Sequence, residues 1–201
     1  MANGKQNAGL ILPEFTVDDL GTSFKVVLIN SVTSFERDNK KEIFIPDYQN
    51  LLKKIAVSRA AHPAKLKGGD IKFLRKNLGL RSKDLAEKLD ISPEHLSRCE
   101  AGDKILSPNS EKVLRSLVIF EAVYVLQKAL EDFEGNKAKI QAEVSKLLER
   151  LKVVMEGLKI QPVHSADKEV IFYFKRVPHS ASQVANDDLH SDPPEWLDEA
   201  A

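Results

Sequence analysis

The sequence has little of what secreted proteins and most enzymes depend on. Cys99 is the only cysteine among 201 residues, so neither an internal disulfide nor a cysteine-based zinc site can form within one chain. No apolar run is long enough to span a membrane, and the first eight residues lack the apolar core of a secretory signal. No phosphate-binding loop, Ser/His/Asp order or metal-ligand cluster stands out. We therefore expect a cytoplasmic protein with no cofactor, no metal, no membrane partner and no enzymatic activity.

The formal net charge is zero, but the two signs are unevenly distributed. Residues 64–115 carry 12 basic and 8 acidic side chains, whereas residues 177–201 carry six acidic side chains and no lysine or arginine. A local basic surface is the electrostatic feature that nucleic acid requires. Charge alone, however, fits equally well a helical region that is simply rich in lysine.

The centre of the basic region predicts two short amphipathic helices joined by a tight turn. Ser82 can cap the first helix, and Ser92 followed by Pro93 is a strong start for the second. Asp90 lies at the turn, where a left-handed residue is usual, and Asp tolerates that conformation better than most residues other than glycine. This is the plan of a helix-turn-helix, whose second helix can enter the major groove of DNA.

Apolar spacing predicts the elements on either side of this unit. Residues 1–13 are expected to be a flexible arm, and the polar, acidic residues from 178 onward a disordered tail. Trp196 in that tail fits either a short partner-binding motif or a solvated side chain. Strands are predicted over 23–30, with 32–35 completing the first arm of a hairpin, and over 42–45 and 169–175. Helices are predicted over 47–61, over 70–78, from 107 to the break at Glu134, and over 138–158.

These elements predict a mainly α protein with a small β element, an α+β fold. We expect four segments along the chain. They are a β-hairpin plus helix (1–63), a helix-turn-helix DNA-binding domain (64–116), a helical dimerisation region with a terminal strand (117–177) and a disordered acidic tail (178–201).

Two long helices after the helix-turn-helix predict self-association. The first is apolar on nearly all sides over 117–126, and the second has 3-4 heptad spacing. An intramolecular helical hairpin is the alternative for both. The predicted dimer contacts are Leu117, Phe120, Tyr124, Val144, Leu147, Leu151, Val154 and Leu158.

The residues around the turn resemble the Xre/Cro family of helix-turn-helix regulators. Ala86 takes the small position at which the two helices cross closely, and Asp90 replaces the usual glycine of the turn. Residues 97–102, Ser-Arg-Cys-Glu-Ala-Gly, are similar to the Ser-Arg-x-Glu-x-Gly motif that closes the recognition helix. The apolar positions of the motif are taken by Ile91, Leu96 and Cys99. The resemblance implies a five-helix Cro-like domain in a dimeric transcriptional regulator, usually an autorepressor that binds a palindrome in double-stranded DNA.

Residues 45–56 and 67–80 extend the resemblance toward regulators related to the MqsA-type antitoxins. In those proteins a small zinc-bearing β-domain precedes a Cro-like domain. Residues 1–46 contain no cysteine here, so segment 1–63 resembles a degenerate zinc ribbon without its metal. The alternative function that this resemblance implies is an antitoxin, a module that neutralises a toxin or other partner protein through its helical C-terminal region or tail.

The recognition helix of such a domain presents its first turns to base edges. Ser92, Glu94, His95 and Arg98 are the predicted base contacts. The forked guanidinium of Arg98 can bind both acceptors of a guanine, although it can also pair with Glu94 or a phosphate. Glu94 can accept from a cytosine amino group or support the helix start, and His95 fits base, phosphate or solvent.

Phosphate contacts are expected on both sides of that helix. The N-terminus of the first helix presents free amides beside cationic side chains. A loop lysine and the start of the next helix offer further donors. The predicted residues are Arg81, Ser82, Lys83, Lys104, Ser107 and Asn109.

Cys99 is expected to be a small core residue in preference to a redox switch.

Overall fold

A computed structural model describes residues 9–37, 40–132, 137–161, 169–177 and 195–198. These residues form six α-helices and a five-stranded sheet, which confirms the predicted α+β class. Backbone contacts divide the chain into two compact units. Of the described residues, the first contains those in 9–19, 25–54, 171–177 and 195–198, and the second contains those in 20–24 and 55–170. This division cuts across the four expected segments, because the two ends of the chain contribute to the same unit.

The first unit is built around the long strand β2. Its strands are β1 (Leu10–Thr16), β2 (Lys25–Arg37), β3 (Lys40–Phe44), β4 (Ile171–Val177) and β5 (Glu195–Asp198). β1 runs antiparallel to β2 along one edge. The other edge of β2 pairs first with β4 in parallel and then with β3 in antiparallel orientation. β5 extends the sheet antiparallel to β4.

A β-bulge lets β2 serve these different partners. The β1–β2 register shifts between Leu12 and Glu14, and Asn30 opposite adopts a left-handed backbone with φ 47°. The Ser31 hydroxyl donates to the carbonyl of Ile29 (2.6 Å) and accepts from the amide of Arg176 (2.7 Å). The bulge therefore helps tie β2 to β4 at the point where their ladder ends.

The core of the sheet follows the two-residue period of its strands. Val26 and Leu28 are fully buried on β2, and their paired residues Phe172 and Phe174 are buried on β4. Trp196 on β5 is also fully buried.

Two sequence predictions change in this unit. The hairpin is present, and the strand predicted over 169–175 pairs with β2. The flexible arm is wrong from residue 10 onward, because β1 is an edge strand that carries Pro13 at its register shift, where proline is tolerated. The disordered tail is wrong for β5, because Trp196 has apolar surface to bury. The other residues of those two predicted segments, except Gly9 in the arm, lie outside the described residues.

The helices occupy the rest of the chain. They are α1 (Tyr48–Ala61), α2 (Gly68–Asn77), α3 (Ser82–Lys88), α4 (Pro93–Ala101), α5 (Pro108–Asp132) and α6 (Lys137–Lys152). A single π-helical turn, Val153–Gly157, follows α6, where a continuous helix to residue 158 was expected. α5 and α6 pack against each other. Within the described residues, every helix is too short or too polar to cross a membrane.

Two buried acids, Asp70 and Glu111, organise the connection between α1 and α2. Arg59 donates to Asp70 (2.9 Å), while Arg115 and Lys65 pair with Glu111. Arg115 also donates to the carbonyls of residues 59, 60, 62 and 64. We call these five side chains the buried charge network. It holds the connection against the first turns of α2 and α5.

Candidate nucleic-acid interface

The turn between α3 and α4 has the expected left-handed residue. Asp90 has φ 53°, and the amide of Ile91 donates back to the carbonyl of Ala86 (3.1 Å). The apolar positions of the motif lie inward, as predicted for Leu85, Ala86, Leu89, Leu96 and Cys99, all of which are buried. The two helices therefore cross around a small apolar core that fixes the direction of α4.

The second helix of this unit, α4, is capped at both ends. The Ser92 hydroxyl accepts from the amide of His95 (3.1 Å), which confirms the predicted cap. Gly102 ends the helix in the left-handed conformation, with φ 89°.

α3 is capped differently from the prediction. Its cap residue is Arg81, and Ser82 is the first helical residue with no capping role. The Asp84 carboxylate accepts from the Arg81 amide (3.2 Å) and binds the Arg81 guanidinium at 2.8 and 2.9 Å. These hydrogen bonds raise the pKa of Arg81 and lower the pKa of Asp84. Asp84 satisfies the helix start from within the first turn, so no serine cap is needed.

A bidentate ion pair positions α4. The Arg75 guanidinium on α2 donates to the Glu100 carboxylate at 2.6 and 2.9 Å, and a third nitrogen donates to the carbonyl of Leu80 (3.0 Å). The hydrogen bond to Glu100 raises the pKa of Arg75. The pair joins α2, the α2–α3 connection and α4. Sequence reasoning did not assign this role to Arg75, although Glu100 belongs to the motif of residues 97–102.

Close packing supports the same helix at its end. A Cβ on Gly68 would lie 2.5 Å from the carbonyl oxygen of Glu100, so only glycine allows α2 to begin there without a shift. The C-terminus of α4 and the N-terminus of α2 thus meet at backbone distance.

The first turns of α4 are open to solvent, as a base-contacting surface requires. Ser92, Glu94 and Arg98 are exposed, and His95 is half-buried. The backbone amide of Glu94 and the Ser92 hydroxyl lower the pKa of the Glu94 carboxyl. Glu94 is thus stabilised as an anion at the start of α4, in line with the helix-support alternative.

The guanidinium of Arg98 makes no ion pair or hydrogen bond to any residue that the structure describes, Glu94 included. Arg98 is therefore available to an external acceptor. Its own carbonyl accepts from the amides of Asp103 (2.9 Å) and Lys104 (3.2 Å), so the backbone at this position is fixed.

The ion pairs leave a basic excess on the surface of residues 64–115. Four of the eight acids in this range, Asp70, Asp84, Glu100 and Glu111, are paired with arginine or lysine. Within the described chain, eight cationic side chains of the same range have no ion pair. They are Lys67, Lys72, Lys76, Lys83, Lys88, Arg98, Lys104 and Lys112. The unpaired charges are therefore eight basic against four acidic.

The predicted phosphate contacts are placed unequally. Lys83, Lys104 and Asn109 are exposed. The Ser107 hydroxyl accepts from the amide of Ser110 (3.1 Å) and so caps α5. Arg81 is exposed but bound to Asp84.

Cys99 is a free, fully buried thiol. Burial raises the pKa of the Cys99 thiol, which keeps the less reactive protonated form. The core role predicted for it therefore fits its surroundings. The part of the chain that the structure describes groups no three His, Cys, Asp or Glu side chains suited to a metal ion.

The predicted dimer residues separate into two groups. Val144, Leu147, Val154 and Leu158 are buried within a single chain, which is the intramolecular hairpin alternative, and Leu151 is half-buried. On α5, Phe120 and Tyr124 are 58% and 54% exposed, and Leu117 is half-buried. Among the predicted dimer residues, only Phe120 and Tyr124 are exposed, and both lie on α5.

This geometry defines a helix-turn-helix unit of the kind that regulators use to bind DNA. A family model described as HTH_3, Helix-turn-helix, matches residues 71–113, from α2 into α5. The chain therefore contains an Xre/Cro-type helix-turn-helix domain over those residues. Comparison with curated proteins and with solved structures gave no match.

Proposed function

We propose that this protein is a sequence-specific DNA-binding transcriptional regulator of the cytoplasm, acting as a dimeric repressor on a palindromic operator. The observation that carries the proposal is the unpaired Arg98 on an exposed, doubly capped α4 within a matched helix-turn-helix domain. Autorepression and the relation to the MqsA-type regulators remain parts of the proposal. The antitoxin alternative has no specific support within the described residues.

Arg98 is the proposed base-reading residue. It lies on the second turn of α4 beyond Ser92, where a recognition helix contacts base edges, and it is free of internal partners. Its fork can bind O6 and N7 of one guanine. Ser92, His95 and Glu94 line the same surface, with Glu94 contributing as a helix-start anion.

Lys83 and Lys104 are the proposed phosphate contacts, with Asn109, Arg81, Ser82 and Ser107 in supporting positions. Exposed lysines on either side of the recognition helix can neutralise the DNA backbone without contacting bases. Arg81 would have to exchange Asp84 for a phosphate.

The test compares Arg98→Ala with Lys83→Ala in anisotropy titrations on duplexes from the protein's own promoter and on random duplexes. Arg98→Ala should cost about 1–3 kcal/mol on the specific duplex and relax preference at one base pair. Lys83→Ala should weaken both duplexes about equally and reduce the salt slope by about one. Equal losses on both duplexes for Arg98→Ala would reject the base-reading role. If the wild type binds neither duplex with an affinity that falls as salt increases, DNA is rejected as the ligand.

The dimer is proposed to form through the exposed stripe of α5. Val113, Leu117, Phe120 and Tyr124 follow one another at steps of four, three and four residues, on the side of α5 opposite its buried face. A second copy is the proposed occupant, because an operator palindrome requires two recognition helices related by two-fold symmetry.

Sedimentation of Phe120→Glu tests this interface. The variant should be monomeric at concentrations where the wild type is dimeric, and its operator affinity should fall with it. Leu148→Glu is the matched control, because Leu148 is similarly exposed on α6 outside the stripe. An unchanged dimer in Phe120→Glu would remove the stripe from the proposal without touching DNA binding.

A further inference from the structure

The C-terminal strand β5 is separated in sequence from the strand it pairs with. Residues 178–194 lie between β4 and β5, which makes 17 connecting residues. Antiparallel neighbours in a hairpin are usually joined by about two to five residues. A connection of this length can reach up to about 60 Å when extended, so it does not restrict β5 to the β4 of its own chain.

The site that receives β5 buries a tryptophan. Trp196 is fully buried and lies directly opposite Arg176, while the next inward residue of β4, Phe174, is fully buried as well. The tail is strongly acidic, whereas β4 carries Lys175 and Arg176, so the charges of the two strands are complementary. The β4 edge thus fits an acidic, extended segment with one tryptophan in this register.

The hold on β5 is incomplete. The indole N–H of Trp196 and the Nε–H of Arg176 are both buried without a hydrogen-bond partner in the described structure. Buried donors of this kind oppose docking, and only four residues of β5 pair with β4. β5 is consequently attached by a short ladder that contains two unsatisfied buried donors.

We propose that β5 is an exchangeable strand, and that the β4 edge accepts the C-terminal strand of a second copy of this chain. The β4–β5 hydrogen bonds are the same whether β5 comes from the same chain or from a second copy, so exchange loses no strand pairing. Mutual exchange also keeps the β4 edge covered in both copies. The proposal rests only on the first unit and does not depend on DNA binding or on the α5 stripe.

The experiment uses two full-length variants that differ in mass through a tag, Lys175→Cys and Leu197→Cys. Lys175 and Leu197 are directly paired residues, at a separation that suits a disulfide. The native Cys99 is fully buried and does not compete. The two chains are unfolded together, refolded together and mildly oxidised, and the products are separated on a non-reducing gel.

The expected result is a covalent heterodimer that neither chain gives alone, with a yield that increases with protein concentration. The matched control replaces Leu197→Cys by Asp198→Cys, which places the thiol on the opposite face of the sheet and should lose the heterodimer band. Adding Trp196→Phe or Trp196→Ala to the Leu197→Cys chain should lower the yield, the alanine variant more.

A second measurement places both cysteines on one full-length chain. If that double variant gives only an internally linked monomer while the mixture gives no heterodimer, β5 stays on its own chain and the proposal is overturned. If neither the double variant nor the mixture forms a disulfide, β5 does not dock on β4, and the proposal is overturned as well. Trp196 is the only tryptophan, so blue-shifted emission in the wild type should accompany docking in either form.

Discussion

The buried charge network and the exposed face of α4 use the same kinds of side chain in opposite ways. In the network, Arg115, Glu111, Arg59 and Asp70 are almost wholly removed from solvent and paired with one another or with backbone carbonyls. On α4, Arg98 is exposed and free of partners in the described chain. A charge that is already paired inside holds the fold, whereas a charge left unpaired outside is available to a ligand.

Removing one carboxylate from the buried charge network should cause the largest loss of stability. Glu111→Ala leaves Arg115 buried without its carboxylate partner, so we expect a loss of about 3–5 kcal/mol in the free energy of unfolding. Urea denaturation measures it. Glu87→Ala on the exposed side of α3 is the control and should stay within about 0.5 kcal/mol of the wild type. A loss under about 1 kcal/mol for Glu111→Ala would mean that the network adds little to stability.

The Arg75–Glu100 pair stands between the two regions, since it is largely buried yet positions the recognition helix. Each single alanine variant should lose stability, and a double-mutant cycle should return a coupling of about 1–3 kcal/mol. Operator affinity measured at a temperature where the variants are folded should also fall, because α4 is less firmly oriented. Additive losses, with affinity unchanged, would contradict the positioning role.

A smaller effect of opposite sign is expected at the turn. Asp90→Gly removes the cost of a left-handed conformation in a residue with a Cβ, and we expect a gain of up to about 1 kcal/mol in unfolding free energy. Asp103→Gly, in a loop position without positive φ, should give no gain. A destabilised Asp90→Gly would show that the aspartate side chain contributes more than the strain costs.

The smallest expected effect is a pH dependence of stability that comes from His62, which lies beside the buried charge network. Burial, Arg59 and Arg115 lower the pKa of His62 from its ordinary value of 6.5, and its Nδ1 accepts from the amide of Ala64 (3.1 Å). The unfolded chain therefore binds the proton more tightly than the folded chain does. The contribution of neutral His62 to the free energy of unfolding is therefore complete above pH 6.5, and it is lost as the pH falls through the pKa that His62 has in the folded chain.

Unfolding free energies measured between pH 7 and pH 5 test this dependence. The wild type should lose stability across that range, and His62→Gln should lose less. The control Gln141→Ala, at an exposed position of α6 without a titrating side chain, should keep the wild-type slope. An identical slope in His62→Gln would assign the pH dependence to other groups.

Much of the helical unit follows from local sequence. The cap at Ser92, the left-handed Asp90, the stop at Gly102 and the inward apolar positions are each set by interactions within a few residues. Such interactions are visible in sequence because backbone preference and side-chain spacing are local.

Long-range pairing explains what the sequence did not show. β1 and β5 have weak local signals, and each is a strand because another strand of the sheet offers it an edge, with a buried position for Trp196 in the case of β5. The pairing of Arg75 with Glu100 spans 25 residues, and no spacing rule announces it. The partner of α6 was also not evident from the sequence. The heptad spacing of Val144 and Leu147 fits a partner helix in the same chain as well as in another, and only the fold shows that both are buried within one chain.

The sequence by itself determined that this chain has a helix-turn-helix with a capped second helix carrying Arg98, because caps, turns and helical periods are encoded locally. Tertiary structure alone decided which charges are left for a ligand. Arg75 is paired because the fold brings Glu100, 25 residues away, within hydrogen-bonding distance, whereas the guanidinium of Arg98 has no such partner in the described chain. Only the folded chain fixes those distances.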